Sequence, residues 1–135
     1  MKRKDVDEFE KLSGQLQGIY EEISVLSKKS PNDAVNKFKL NFINQLLNGS
    51  NGFLEDKYRP FKEFSEFDTD DVPQNSDVVF ILSQYLQCFE KMRADNVKER
   101  HHLNWYWVVD AEGNETGDES GKIYIKTTRP KRLRE

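Results

Sequence analysis

Few side chains in this 135-residue sequence have the types and spacings that do chemistry. The only histidines are His101 and His102, and Glu99 with His102 forms a single Glu-x-x-His. That spacing puts both side chains on one helix face, but di-iron bundles need the element twice, with further glutamates. One cysteine, Cys88, cannot build a structural zinc site of the common kinds. Asp68-Thr69-Asp70-Asp71 opens like a calcium loop, then sets Val72 and Pro73 where an oxygen ligand and a glycine belong. Asp110 to Gly121 fails the same pattern, with Glu115 in the glycine position and Gly121 in place of the bidentate glutamate. No metal and no cofactor is expected.

Covalent catalysis needs an activated nucleophile beside a base. Cys88 falls on the apolar side of a helical pattern and reads as a small buried hydrophobe. No Gly-x-Ser-x-Gly elbow, phosphate-binding loop or dinucleotide-binding glycine pattern occurs. Carboxylates are plentiful, yet no spacing selects an acid–base pair. The expectation is a protein with no catalytic residues.

Binding chemistry is better represented. Lys122, Lys126, Arg129, Lys131, Arg132 and Arg134 follow one another without an acid between them. Trp105, Tyr106, Trp107 and Tyr124 lie on the adjoining strand-like segments. Aromatic faces beside cations stack bases and neutralise phosphates, so RNA or single-stranded DNA is one expected partner, with Lys126, Arg129, Lys131, Arg132 and Arg134 as contacts. Against it, five carboxylates fill the loop between the strands, and Trp105 and Trp107 share a face with Leu103 and Val109, as core residues do. The other expected partner is a protein, or a second copy of the chain. Its anchors would be Phe61, Phe64, Phe67, Trp105, Tyr106, Trp107 and Tyr124, because aromatic side chains are preferred at interfaces. That reading comes first, with nucleic acid as the alternative. Nothing selects a small-molecule ligand.

The elements that must position these residues follow from periodicity. Phe9, Leu12, Leu16, Ile19, Ile23 and Leu26 recur at steps of three and four, predicting a helix over 6–27 with a narrow, heptad-like seam. Ser30 as cap, Pro31 at the first helical position and Asn48-Gly49 as a stop predict a second helix over 31–48. Its stripe is Val35, Phe38, Phe42, Ile43 and Leu46, and Asn48 to Gly52 reads as a turn cluster. Tyr58, Phe61, Phe64 and Phe67 recur every three residues around Pro60, which suits an irregular aromatic lid with an acidic rim. Val78, Leu82, Tyr85, Phe89 and Met92 predict a third helix over 76–99. Residues 102–128 read as a long-looped hairpin and 129–135 as a basic tail.

Composition bounds the whole. The chain is sized for one domain, 1–135, of an α+β class: a small three-helix core, an aromatic irregular segment and a C-terminal β-hairpin. Leu, Ile, Val and Phe make up about a quarter of the residues, above the ~20% below which chains stay disordered. A net charge of -3 excludes a histone-like polycation. No stretch approaches the ~18 apolar residues of a membrane span, and no apolar run follows the basic start, so neither membrane insertion nor a secretory leader is expected. With one cysteine, a cytoplasmic accessory protein of bacterial type is the expectation.

Overall fold

A computed structural model describes residues 1–101, 104–113 and 115–131, and orders them as three helices followed by a three-stranded antiparallel sheet. The helices are α1 (Arg3–Lys29), α2 (Lys37–Tyr58) and α3 (Asn75–Asn96); the strands are β1 (Val97–Arg100), β2 (Asn104–Asp110) and β3 (Lys122–Thr127). This is the α+β class expected, with one strand more than a hairpin. The described residues divide into two compact units, Lys11–Phe89 and Met1–Glu10 together with the residues from Glu90 onward.

In the first unit, α1 buries Leu12, Leu16 and Ile23 of the expected seam, leaves Ile19 half-buried and exposes Leu26. Helix α2 departs most from expectation. It does not begin at Ser30-Pro31, because residues 31–35 form a turn and a bridge tied to residues 73–76. The Val35 amide donates to the Pro73 carbonyl, those of Asn75 and Ser76 donate to Asp33 and Pro31, and Ala34 bridges Gln74. Asn36 is the cap instead: its backbone is extended (φ -60°, ψ 128°), and its side-chain oxygen accepts the Lys39 amide at 3.1 Å.

Nor does α2 stop at Asn48-Gly49. It runs through the whole Asn-Gly-Ser-Asn-Gly cluster, because Ser50 and Asn51 lie on the buried face, with Asn48, Gly49 and Gly52 on the exposed side. Leu40, Ile43, Asn44, Leu47, Ser50, Asn51 and Leu54 point inward, and a β-carbon on Gly49 would lie 3.5 Å from Leu12. Tertiary packing overrides the turn propensity of these residues. The stripe is thereby rotated: Phe38 and Phe42, expected inside, are outside. Near its end α2 kinks at Glu55, whose φ of 55° and ψ of -173° lie in a region ordinarily left to glycine.

In the second unit, α3 gives way to β1 without a loop. Asn96 ends the helix by donating from its side-chain amide to the Met92 carbonyl at 2.8 Å. The expected helix over 76–99 therefore ends at Asn96, and Val97–Arg100 pairs with Asn104–Trp107. Trp107 aligns with both Val97 and Ile125, and Tyr106 with both Lys98 and Lys126. The pleat then assigns the faces. Trp105, Trp107, Val109, Ile123 and Ile125 share the inner one; Tyr106, Val108, Tyr124, Lys98, Arg100 and Lys126 share the outer. Trp107 and Val109 are buried with Val6 and Phe9 of α1. No helix of the described residues is long and apolar enough to cross a membrane.

Candidate binding surfaces

The aromatic lid is built from backbone groups captured by side chains. Asn44, Asn48 and Asn51 lie at steps of four and three on one face of α2. Asn44 donates to the Phe67 carbonyl at 3.0 Å and accepts the Phe67 amide at 2.9 Å. Asn48 donates to the Glu66 carboxylate and Asn51 to the Ser65 carbonyl, each at 3.0 Å. The three amides thus read residues 67, 66 and 65 in antiparallel order. Arg59 fixes the other end by donating to the carbonyls of Phe61 (3.2 Å) and Phe64 (2.8 Å). Asn51 also accepts the Tyr85 hydroxyl at 2.7 Å. Burial raises the Tyr85 pKa, and this hydrogen bond opposes the rise.

These contacts fix where the expected anchors lie. Phe61, Phe64 and Phe67 are half-buried: Phe64 and Phe67 pack edge to face at 5.2 Å, and Phe61 stacks on Phe80 at 6.5 Å. The exposed apolar surface of this unit lies elsewhere. Phe38 is 70% exposed and Phe42 48%, the two rings meeting edge to face at 5.1 Å. Val25 and Leu26 of α1 and Phe80 of α3 are exposed too. Sequence reasoning missed Phe38 and Phe42 by placing them on the buried stripe.

On the inner face of the sheet Trp107 is fully buried, Trp105 half-buried. Trp107 meets Phe9 edge to face at 4.7 Å and donates from its indole to Glu10 at 3.0 Å. The guanidinium of Arg93 lies against both rings, 4.9 Å from the Phe9 centroid and 5.5 Å from that of Trp107. It pairs with Glu10 and Glu90, each at 2.8 Å, and donates to the Thr127 hydroxyl. The outer face is different in kind. Tyr106 and Tyr124 are half-buried, Lys98, Arg100 and Lys126 are exposed, and the Arg100 guanidinium lies 4.2 Å over the Tyr124 ring. Arg129 and Lys131 are exposed beyond β3, whereas Arg132 and Arg134 lie outside the described residues, as does His102.

The loop between β2 and β3 is organised by Asp118. One oxygen accepts the amides of Ser120 and Lys122 (both 2.9 Å) and the Ser120 hydroxyl (2.8 Å); the other accepts the Tyr124 hydroxyl at 2.8 Å. Gly117 is required here, since a β-carbon would lie 2.7 Å from the Gly121 carbonyl carbon. These donors, led by the Lys122 amide, hold the Asp118 carboxyl well below the ordinary carboxylate range, and the same contact raises the Tyr124 phenol. A depressed folded pKa stabilises above the ordinary value near ~3.9, and that contribution is lost as pH falls through the folded value. Asp118 is therefore expected to stay ionised at about pH 3, where unperturbed aspartates are mostly protonated. Carboxyl carbon NMR checks this: titration of Asp118 with the other carboxylates would refute the loop geometry.

Cys88 is half-buried with its thiol pKa raised by burial, the reverse of an activated nucleophile. Among the described residues, no group of three or more His, Cys, Asp or Glu is placed to hold a metal ion. No family model matches the chain, and neither does any curated protein or solved structure.

Proposed function

We propose that this chain is a non-catalytic accessory protein that works by binding another protein or a second copy of itself, in a bacterial-type cytoplasm whose reducing conditions suit its single cysteine. The observation that carries the reading is the exposed Phe38–Phe42 pair on α2. A phenylalanine left in water forgoes about 1.5–3 kcal/mol of burial, and two adjacent rings forgo it together. Contiguous apolar surface of this kind marks interaction sites. Lys37 and Lys39 beside the rings give the patch a polar margin, as at the rim of protein interfaces.

The test is sedimentation velocity over a concentration series, together with capture of partners from source lysate after nuclease treatment. The expected result is self-association or a nuclease-resistant protein partner, lost in the Phe38→Asp, Phe42→Asp double variant. Both positions are exposed, so the variant should melt within about 0.5 kcal/mol of the parent stability. Association that survives the double substitution would remove α2 as the binding surface.

A further inference from the structure

We propose that the outer face of the sheet binds single-stranded nucleic acid, with Tyr106 as a base-stacking platform and Lys98, Lys126 and Arg100 as phosphate contacts. Lys98 and Lys126 are the cross-strand partners of Tyr106, one on each side, so a lysine flanks its position on both neighbouring strands, which run about 4.8 Å from β2. Arg100 projects from the same face and lies over Tyr124. Among the described residues Lys98, Arg100 and Lys126 form no ion pair, so their charge is available to an anion.

The acids nearest this face are either on the opposite face or already hydrogen-bonded. Glu99 lies between Lys98 and Arg100 in sequence, but it pairs with Trp105 and belongs to the inner face. Asp110 is paired with Lys122. Asp118 is occupied by its four donors, one of which, the Tyr124 hydroxyl, fixes that ring in place. His101 and the Tyr106 ring meet edge to face at 6.2 Å.

An aromatic ring on a sheet surface, flanked by cations, suits bases whose faces are free, and duplex stacking would hide those faces. An acidic peptide would satisfy the lysines but leave the ring without a planar partner. This inference is independent of the protein-binding reading, which rests on α2.

The experiment is fluorescence anisotropy of the full chain with a labelled oligothymidylate of about ten nucleotides, at about 25 to 300 mM salt. Three phosphate contacts predict a slope of log affinity on log salt near about -2. Tyr106→Ala should weaken binding about tenfold or more, while Tyr106→Phe, which keeps the ring, should leave it near the parent value. The Lys98→Glu, Lys126→Glu double variant should flatten the slope by about 1.4. Circular dichroism establishes that each variant is folded, and the exposed lysines test the face even if Tyr106→Ala is not.

Several results would overturn the proposal. One is no binding at low salt. Another is equal binding of heparin or of the matching duplex, with Tyr106→Ala silent. A third is binding abolished by neutralising Arg129 and Lys131 but unchanged by the Lys98, Lys126 and Tyr106 variants, which would assign the contact to the tail.

Discussion

Arg93→Ala should lower the unfolding free energy by about 3 kcal/mol or more, read as a fall in the urea midpoint. The Arg93 side chain is 7% exposed and that of its partner Glu90 is 13%. Removing the guanidinium strands the Glu90 carboxylate in a poorly solvated position, and that residual charge, more than the lost pair, carries the cost. Glu10 is 45% exposed and can rehydrate, which holds the loss below the upper end of such values. Two ring contacts, to Phe9 and Trp107, vanish as well. Arg93→Lys should recover less than half of the loss. A single ammonium cannot reproduce a fork that reaches Glu90 through Nε and Glu10 through Nη1. Exposed pairs such as Glu22–Lys39 and Lys91–Asp95 should each cost under about 1 kcal/mol when broken. A loss for Arg93→Ala no larger than theirs would show the network to be ordinary surface electrostatics.

Asn44→Ala should release the aromatic lid. The side chain makes both of its bonds to one residue, capturing the Phe67 amide and carbonyl together. Alanine leaves two backbone groups without that partner in a part-buried position, at a cost of about 2 kcal/mol. Much of this should appear as local opening, since the lid is held by side-chain capture without a helical or sheet ladder of its own. Lys62, exposed within the lid, offers a direct readout. Cleavage after Lys62 by trypsin should accelerate by about 30-fold, the factor that corresponds to about 2 kcal/mol when opening is fast relative to cutting. Asn51→Ala should act in the same direction, because it releases Ser65 and leaves the Tyr85 hydroxyl unpaired. An unchanged cleavage rate in both variants would mean that the ring contacts alone close the lid.

These two sites mark where the sequence is legible and where it is not. The α+β class, three helices and two aromatic strands follow from periods of 3.6 and 2, which the chain states clearly. Asn48 to Gly52 does not yield to that reading. By propensity the run is a turn, and only contact with the lid and with Tyr85 makes it a helix. A signal was present even so: Asn44 and Asn51 sit in phase with Leu40, Leu47 and Leu54, as side chains facing inward should, with Asn48 at the exposed margin of that face. Residues 31–35 misled for the opposite reason. Ser-Pro is a good local helix start, but the carbonyls and amides there are committed to Pro73–Ser76, far along the chain. Strand β1 is four residues long, three of them charged, so its pairing is dictated by β2 rather than by its own pattern. Of the candidate anchors, the alternation along β2 correctly separated Trp105 and Trp107 from Tyr106. It could not show that Lys98 would complete the row, because no third strand was in view.

The strand order β1-β2-β3 leaves β3 at one margin of the sheet, with Lys122 and Lys126 bracketing Ile123, Tyr124 and Ile125. A short apolar strand in that position is a template for chain-on-chain stacking, and flanking cations are the usual colloidal guard against it. Amine-neutralising reagents, including acetylating agents and many dye esters, would strip that guard. Reductive methylation keeps the charge and leaves it intact. Acetylated protein is therefore expected to aggregate more readily in concentrated stocks than reductively methylated protein, as light scattering would show.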